Sequence, residues 1–127
     1  MVRDDLPVCQ RFNVATSLAT GIASAAPEIL DKPYIDSWGR AYGNMSGQPM
    51  LIFEADIEKL QAVYRKALER EVTIAPYIYA MFSTGHDEAN REVFLAADAD
   101  NLDRIGLGIR GPRKAVDKVI KGLSLHK

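Results

Sequence analysis

The sequence predicts a single α/β domain in which helices cover both faces of a sheet, a three-layer α/β/α sandwich. Strand-like apolar runs alternate with helical patterns along the 127 residues, in the order β-α-β-α-β-(α)-β-α. This alternation predicts parallel neighbouring strands joined by helical crossovers. With 47% hydrophobic and 26% charged residues, the chain is long enough to bury one core and short for two.

The first elements are a short strand and a long helix built of small residues. Met1–Arg3 end a strand, because the turn Asp4-Asp5-Leu6-Pro7 follows at once. A helix begins near Phe12, and its alanines allow its backbone to approach a sheet or another helix closely. Pro27 and Pro33 bracket the end of this helix.

The middle of the chain holds a loop, a strand and an amphipathic helix. Tyr34 to Gly47 predicts a loop or a short hairpin with Trp38-Gly39 at its turn. Pro49 to Glu54 is a continuous apolar run, typical of a strand covered on both faces. Asp56 then caps a helix whose apolar residues recur at three-and-four spacing. These residues are Ile57, Leu60, Val63, Tyr64, Ala67 and Leu68.

A third strand and a third helix follow. Val72 to Tyr79 predicts the strand, and Pro76 within it indicates an edge position or an early end. The segment from Phe82 is polar at first and then helical through about Ala97. Asp98 to Asp103 forms an acidic turn before the last strand.

The last strand and the last helix meet at a Gly-Pro pair that is a candidate anion site. The strand runs from about Arg104 to Ile109 and the helix from Pro112 to about Lys121. Gly106 and Gly108 leave one strand face nearly bare, so a helix or a ligand backbone must lie against it. Free N–H groups at a helix start favour a phosphate or a carboxylate. The candidate binding residues are Arg110, Gly111, Arg113 and Lys114. Alternatively, a helix packs on the glycines and the basic side chains are solvated.

A second candidate group follows the first strand and consists of Asp5, Arg11 and Asn13. In a parallel sheet, strand ends and helix starts collect at one edge, so this group would share a crevice with the Gly-Pro pair. The alternative is simple capping, in which Asn13 bonds the free donors of the first helix.

A third group lies in the polar segment, where His86 follows Thr84 closely and precedes Asp87. His86 could act as a base that a carboxylate orients and that activates a hydroxyl. The alternative is a loop that ends in a helix cap, with Thr84 as the cap or Asp87 in the first turn.

Composition and charge argue against several functional classes. Sixteen basic and seventeen acidic residues give a formal charge of -1, so nucleic-acid contact is not supported beyond a local one. No apolar stretch fits a membrane span or an export signal, which predicts a cytoplasmic protein. The single cysteine, Cys9, excludes an internal disulfide. No His or Cys pair has metal-ligand spacing, so neither a metal nor a cofactor is expected.

Several motifs together resemble the type 2 peptidyl-tRNA hydrolase superfamily. They are the Asp-Leu turn, the Ala-rich helix, the strand Gln48–Phe53 before an Asp-capped helix, and Leu107-Gly-Ile-Arg-Gly-Pro112 before the last helix. Gly111–Lys118, with Asp4–Pro7 and Asn13–Ala15, is more closely similar to an uncharacterised bacterial family catalogued as domain of unknown function 2000. The resemblance covers nearly the whole chain and implies a mixed four-stranded sheet between helices.

The resemblance does not imply hydrolysis by the usual residues. The two lysines that the hydrolases carry after the Asp-Leu turn correspond to Gln10 and Phe12, and their helix-one glutamine and histidine to about Thr16 and Ala19. Their Asp-Ala-Gly-x-Thr signature is replaced by residues 82–103. The residues that carry over are Asp5, Leu6, Gly108, Gly111, Pro112, Asp117 and Lys118. Relatives also have a longer first strand, which makes Met1 a candidate internal start.

Three functional hypotheses follow from these observations. The first is a protein that binds a small anionic ligand or a nucleotide end and has no evident catalyst. The second is a hydrolase of peptidyl-tRNA or a related ester that uses His86 or Asp87. The third is a homodimeric interaction module with the small-residue helix, Ala15 to Ala26, as its seam.

Overall fold

The computed structural model describes residues 1–127, which form five strands and four α-helices. The strands are β1 (Val2–Arg3), β2 (Phe53–Ala55), β3 (Thr73–Ile78), β4 (Arg104–Arg110) and β5 (Ser124–Leu125). The helices are α1 (Val8–Ala25), α2 (Ile57–Leu68), α3 (Asp87–Ala96) and α4 (Arg113–Val119). Short 3₁₀ helices occupy Pro27–Ile29, Tyr79–Ser83 and Ala99–Asn101. None of the helices combines the length and the apolar character that crossing a membrane requires.

The strands form one open mixed sheet in the order β3-β4-β1-β2-β5. Only β1 and β2 pair in parallel, and the other three pairs are antiparallel. The prediction of parallel neighbours is therefore wrong for those three pairs, whereas a mixed sheet is observed. The predicted strand count is also too low. β5 has only two residues, which are too few to show a period, and it follows the turn at Gly122, whose φ is +91°.

Helices cover both faces of the sheet at β4. A Cβ added to Gly106 would lie 2.2 Å from Val14 Cγ1 of α1, so this strand face meets α1 directly. Leu107, the next residue, is buried with Leu60 of α2 and Val119 of α4. Successive strand residues point to opposite faces, so α1 lies on one face and α2 with α4 on the other. The face of β4 that Gly106 and Gly108 leave bare is thus covered by a helix rather than by a ligand backbone.

Helix α1 begins at Val8, four residues before the predicted start near Phe12. Pro7 is the N-terminal flanking residue, with φ −54° and ψ 147°, and no side chain caps the helix. Pro7 therefore belongs to the helix start rather than only to a turn, because its fixed φ suits the entry to a helix.

Strand β3 lies at a free edge of the sheet, as Pro76 indicated. Pro76 is opposite Leu107, whose N–H donates to Met1 O at 3.0 Å on the other side of β4. Leu107 directs its N–H and C=O toward β1, so Leu107 and Pro76 are a pair without hydrogen bonds between them. In such an antiparallel pair, the backbone polar groups of both residues point away from each other. The N–H that Pro76 lacks would therefore point outward from the sheet, where no strand accepts it.

Residues 30–52 form an excursion from the sheet with almost no burial. Antiparallel bridges join Ile35 to Ala41 and Leu30 to Ser46, and Gly39 has a φ of +79° at the turn, so the predicted hairpin is confirmed. The apolar run that follows enters the sheet only at Phe53. Leu51 is 64% exposed, so the prediction of a strand covered on both faces is wrong there. The strand beside it, β1, is too short to pair with this segment.

Helix α2 follows its predicted pattern closely in the middle and less at its ends. Asp56 caps it by accepting the Lys59 N–H at 2.8 Å, as predicted. Leu60, Val63 and Ala67 are buried, and Tyr64 packs against the same cluster. Ile57 and Leu68, the first and last residues of the helix, are exposed.

Arg104 is the only charged side chain in the buried interior, at 1% exposure. Its Nη1 donates to Gln61 Oε1 at 2.7 Å, and the guanidinium lies 3.6 Å from the centre of the Tyr64 ring. Gln61 Nε2 in turn donates to Leu102 O at 2.8 Å. The Nε and Nη2 atoms of Arg104 have no hydrogen-bond partner. Gln61 and Tyr64 therefore supply the polar stabilisation of this buried charge.

Candidate functional site

A cleft of 680 Å³ opens beside the C-terminal half of β4. One wall is α1, through Ala15, Leu18, Ala19 and Ile22. The other is α4, through Val116, together with Ile120, which directly follows that helix. β4 forms one edge, and residues 48–53 form the opposite edge. Fourteen of the 21 lining residues are hydrophobic, so the interior of the cleft suits an apolar group.

The cleft exists because β4 is much longer than its neighbour β1. On one side β4 pairs with β3 from Arg110 to Arg104. On the other side its pairing with β1 is limited to Val2 opposite Gly106 and the two hydrogen bonds between Met1 and Leu107. Gly108, Ile109 and Arg110 therefore have no strand beside them on the β1 side, and the cleft occupies that position.

The inner end of the cleft is formed by Met1. Its amine donates to Leu107 O at 2.9 Å, and burial lowers the pKa of this amine from 8.0 to about 6. The cationic side chains that line the cleft, Arg110 and Arg113, lie at its outer end.

Two arginines lie at that outer end, which we call the mouth. Arg110 bonds Glu28 at 2.9 Å, and Arg113 lies 3.7 Å from Asp117. The Arg113 side chain is 94% exposed, so its pairing with Asp117 contributes little and leaves it available to a ligand. Helix α4 has only seven residues and no side-chain cap, so the arginines rather than the helix start supply the positive charge.

The structure separates two groups that the sequence placed together. Arg110, Gly111 and Arg113 line the cleft, and Lys114 is exposed beside it without lining it. Asp5 lies at the other end of β4, where Arg3 bonds both Asp5 at 2.6 Å and Asp103 at 2.5 Å. The prediction of a shared crevice is therefore wrong. Strand β1 is antiparallel to β4, so the C-terminal end of β1 lies beside the start of β4.

Arg11 and Asn13 also lie away from the cleft. Arg11 Nε donates to Leu6 O at 2.7 Å, its guanidinium bonds Asp4 O, and Nη1 lies 3.2 Å from His126 Nε2. Asn13 is exposed within α1, five residues after the helix begins, so it does not cap the helix either. Arg11 instead fixes the turn after β1.

The polar segment around His86 forms a helix cap. His86 Nδ1 accepts the Ala89 N–H at 3.3 Å at the start of α3. Thr84 Oγ1 donates to Met81 O at 2.8 Å, and Asp87 pairs with Arg91. The capping interpretation therefore describes this segment, with His86 as the cap in place of Thr84. The segment follows the end of β3 that pairs with Arg104, which is the end of the sheet opposite the mouth.

No three His, Cys, Asp or Glu side chains come together in a way that could hold a metal ion. Sequence reasoning missed most of the cleft walls, including Ala19, Leu51 and Val116. The signal that could have found them is the length mismatch between a first strand that ends at Arg3 and a last strand of seven residues.

The chain is similar to proteins of unknown function. The family model described as "Protein of unknown function (DUF2000)" matches residues 1–127. A solved structure of a protein of unknown function, Atu0240 from Agrobacterium tumefaciens str. C58, is 42% identical with a TM-score of 0.93. That match covers 99% of this chain and 93% of the other. No curated protein shows significant similarity to the chain.

Proposed function

The chain belongs to this family of proteins of unknown function (DUF2000), and we propose that it is a binding protein whose ligand lies in the cleft beside β4. The observation that carries the proposal is the combination of an apolar interior with cationic side chains only at the mouth. A ligand that matches this arrangement has an apolar body and one anionic group. The anionic group would lie near Arg110 and Arg113, and the apolar body would extend toward Met1.

A fluorescence titration with anilinonaphthalene sulfonate, an apolar ring system with one sulfonate, tests this function. Ala19 lines the cleft, so Ala19→Trp fills it and is expected to weaken binding by about tenfold or more. Ala25→Trp, at the exposed end of the same helix and outside the cleft, is the matched control and is expected to bind like the wild type.

The charge at the mouth is tested with the same probe. The double variant Arg110→Gln/Arg113→Gln is expected to weaken binding by roughly threefold to tenfold, since each arginine contributes a partly exposed ionic contact. Lys114→Gln, next to the mouth, should leave binding unchanged. Equal binding by the wild type and Ala19→Trp would contradict a ligand in the cleft.

We also propose that the fold is related to the type 2 peptidyl-tRNA hydrolases. The Asp-Leu turn and the Gly111-Pro112 junction before α4 support this relationship, as does a mixed sheet with helices on both faces. No observation favours the hydrolase hypothesis, because His86 Nδ1 is used in capping α3 and lies at the end of the sheet away from the cleft.

A second candidate function is self-association through residues 30–52. Large apolar side chains are exposed along this excursion, and Trp38 is 78% exposed. Two of the small residues of α1 already face other parts of the chain, because a Cβ at Gly21 would meet Ala75 of β3 at 3.2 Å and Ala19 lines the cleft. The excursion, with its exposed large apolar side chains, is the interface that we propose.

Light scattering tests this self-association. The wild type is expected to be a dimer at concentrations of about 100 μM, and Ile35→Ser/Trp38→Ser to be a monomer, since they remove exposed apolar area that a partner would cover. Leu95→Ser is the matched control, because Leu95 is 88% exposed on α3 and outside the excursion. A monomeric wild type would contradict the candidate.

A further inference from the structure

Positive charge is concentrated in one segment of the chain. Residues 110–121 carry five basic side chains and one acidic side chain, a formal charge of +4. The whole chain has a formal charge of -1, so the remaining residues together carry -5. The basic segment comprises the end of β4, helix α4 and the turn that follows α4. This separation gives one side of the molecule an attraction for anions that the net charge does not reveal.

Three lysines form one exposed side of α4 and of the turn after it, which we call the basic face. Lys114, Lys118 and Lys121 are spaced by four and three residues, so they lie on the same side of the helix. The opposite side of α4 packs on the sheet. All three lysines are exposed, and none forms a salt bridge. Asp117, the carboxylate in α4, lies 3.7 Å from Arg113 instead. The charge of the basic face is therefore not neutralised within the chain.

An exposed leucine lies on the same side of the sheet as the basic face. Leu125 of β5 is opposite Phe53 of β2, and opposite residues of an antiparallel pair point to the same side of the sheet. Ala55, two residues after Phe53, points to that side as well and packs in one cluster with Val119 of α4. Leu125 is thus on the α4 side of the sheet, four residues after Lys121, and is 53% exposed. Basic side chains and an exposed apolar side chain therefore occupy one side of the molecule.

Negative charge collects at the opposite end of β4. Asp5, after β1, and Asp103, before β4, both bond Arg3. Asp98 and Asp100 lie in the segment that leads to Asp103. Strand β4 has seven residues and separates the two charged ends by about 20 Å. A negatively charged surface would attract the α4 end and repel the Asp103 end, so the molecule would take one orientation on it.

We propose that the basic face docks on the surface of an anionic lipid bilayer, with Leu125 entering the headgroup region. Each lysine near such a surface strengthens binding by about fivefold, and an apolar side chain adds to this when it leaves water. A nucleic acid fits these residues less well, because residues 110–125 contain no aromatic side chain on which a base could stack. An exposed leucine also gains nothing from phosphate contacts. Docking of this kind needs no helix that spans the membrane, and it is a function beyond ligand binding in the cleft.

Cosedimentation with lipid vesicles tests the role of the charge. The anionic vesicles contain about two parts of phosphatidylcholine to one part of phosphatidylserine, and the reference vesicles contain phosphatidylcholine alone. In about 50 mM salt, where screening is weak, the wild type is expected to bind the anionic vesicles and not the reference vesicles. The variant Lys114→Gln/Lys118→Gln/Lys121→Gln is expected to bind at least about thirtyfold more weakly, because three contributions of about fivefold are lost.

Two control variants match these substitutions. Lys32→Gln/Lys59→Gln/Arg91→Gln makes the same change in net charge at exposed residues of other elements, and should bind within about threefold of the wild type. Leu125→Ser is expected to bind the anionic vesicles about threefold more weakly, whereas Leu95→Ser, on α3, should bind like the wild type. All of these side chains are exposed, so each variant should unfold at nearly the same urea concentration as the wild type.

Four outcomes would overturn docking on a bilayer. They are equal binding of the wild type to both kinds of vesicle, equal binding by the lysine variant and its control, equal binding by Leu125→Ser and the wild type, and displacement of the protein from the vesicles by a duplex RNA. The last would make a phosphate polymer the preferred partner of the basic face. The three lysines do not line the cleft, so the lysine variant should bind anilinonaphthalene sulfonate like the wild type. Each proposal can therefore fail without the other.

Discussion

Gly106→Ala is expected to lower the free energy of unfolding by about 3 kcal/mol, at the upper end of the cost of overpacking a core. The added Cβ would lie 2.2 Å from Val14 Cγ1 and 3.0 Å from Leu18 Cδ1, so α1 must move away from β4. Both neighbours are buried, which leaves them little room to adapt. Urea denaturation of the variant and the wild type measures the difference.

The control for this substitution is Gly43→Ala. A Cβ at Gly43 meets nothing within 4 Å, and its φ is not positive. The same chemical change should therefore alter the free energy of unfolding by less than about 0.5 kcal/mol. Equal denaturation midpoints for the two variants would show that α1 does not pack on β4 as closely as described.

Gln61→Leu is expected to destabilise the fold by about 3 kcal/mol. The substitution removes the one hydrogen-bond acceptor of Arg104 and leaves Leu102 O without its side-chain donor. An uncompensated charge in a buried position costs several kcal/mol, and stacking on Tyr64 recovers only part of it. Thermal and urea denaturation of the variant test this expectation.

A double-mutant cycle isolates the contribution of the charge. Gln61→Leu/Arg104→Met removes the guanidinium together with its acceptor, and is expected to be at least about 1 kcal/mol more stable than Gln61→Leu alone. A double variant that is less stable than Gln61→Leu would mean that Arg104 stabilises the core by packing alone. Tyr64→Leu in the same background measures the stacking contribution.

The parts of the fold that follow from local sequence were predictable. Asp56 before an amphipathic run identified the start of α2. Pro76 indicated an edge position or an early strand end, and Gly106 with Gly108 indicated a surface that a helix or a ligand backbone covers; the edge and the helix are observed. Each of these signals reflects the steric or hydrogen-bonding needs of one residue. These three features can therefore be located in the sequence without knowledge of the strand order.

Strand direction and the location of the cleft were not predictable in the same way. The antiparallel pairing of β1 with β4 depends on contacts between residues more than 100 positions apart, and no local period encodes it. That pairing separates Asp5 from the Gly111-Pro112 junction and places the cleft beside Ile109. Arg104 was missed because a charged residue at a strand start ordinarily faces solvent.

The proline at the outer edge of the sheet has a consequence for how the protein behaves at high concentration. An exposed edge strand is a template on which other copies can add and grow into aggregates. The N–H that Pro76 lacks would point outward from the sheet. A strand of another copy that paired with β3 would therefore lack one backbone hydrogen bond. At the opposite edge, β5 has only two residues and offers a very short template. The sheet is thus protected at both edges against open-ended aggregation.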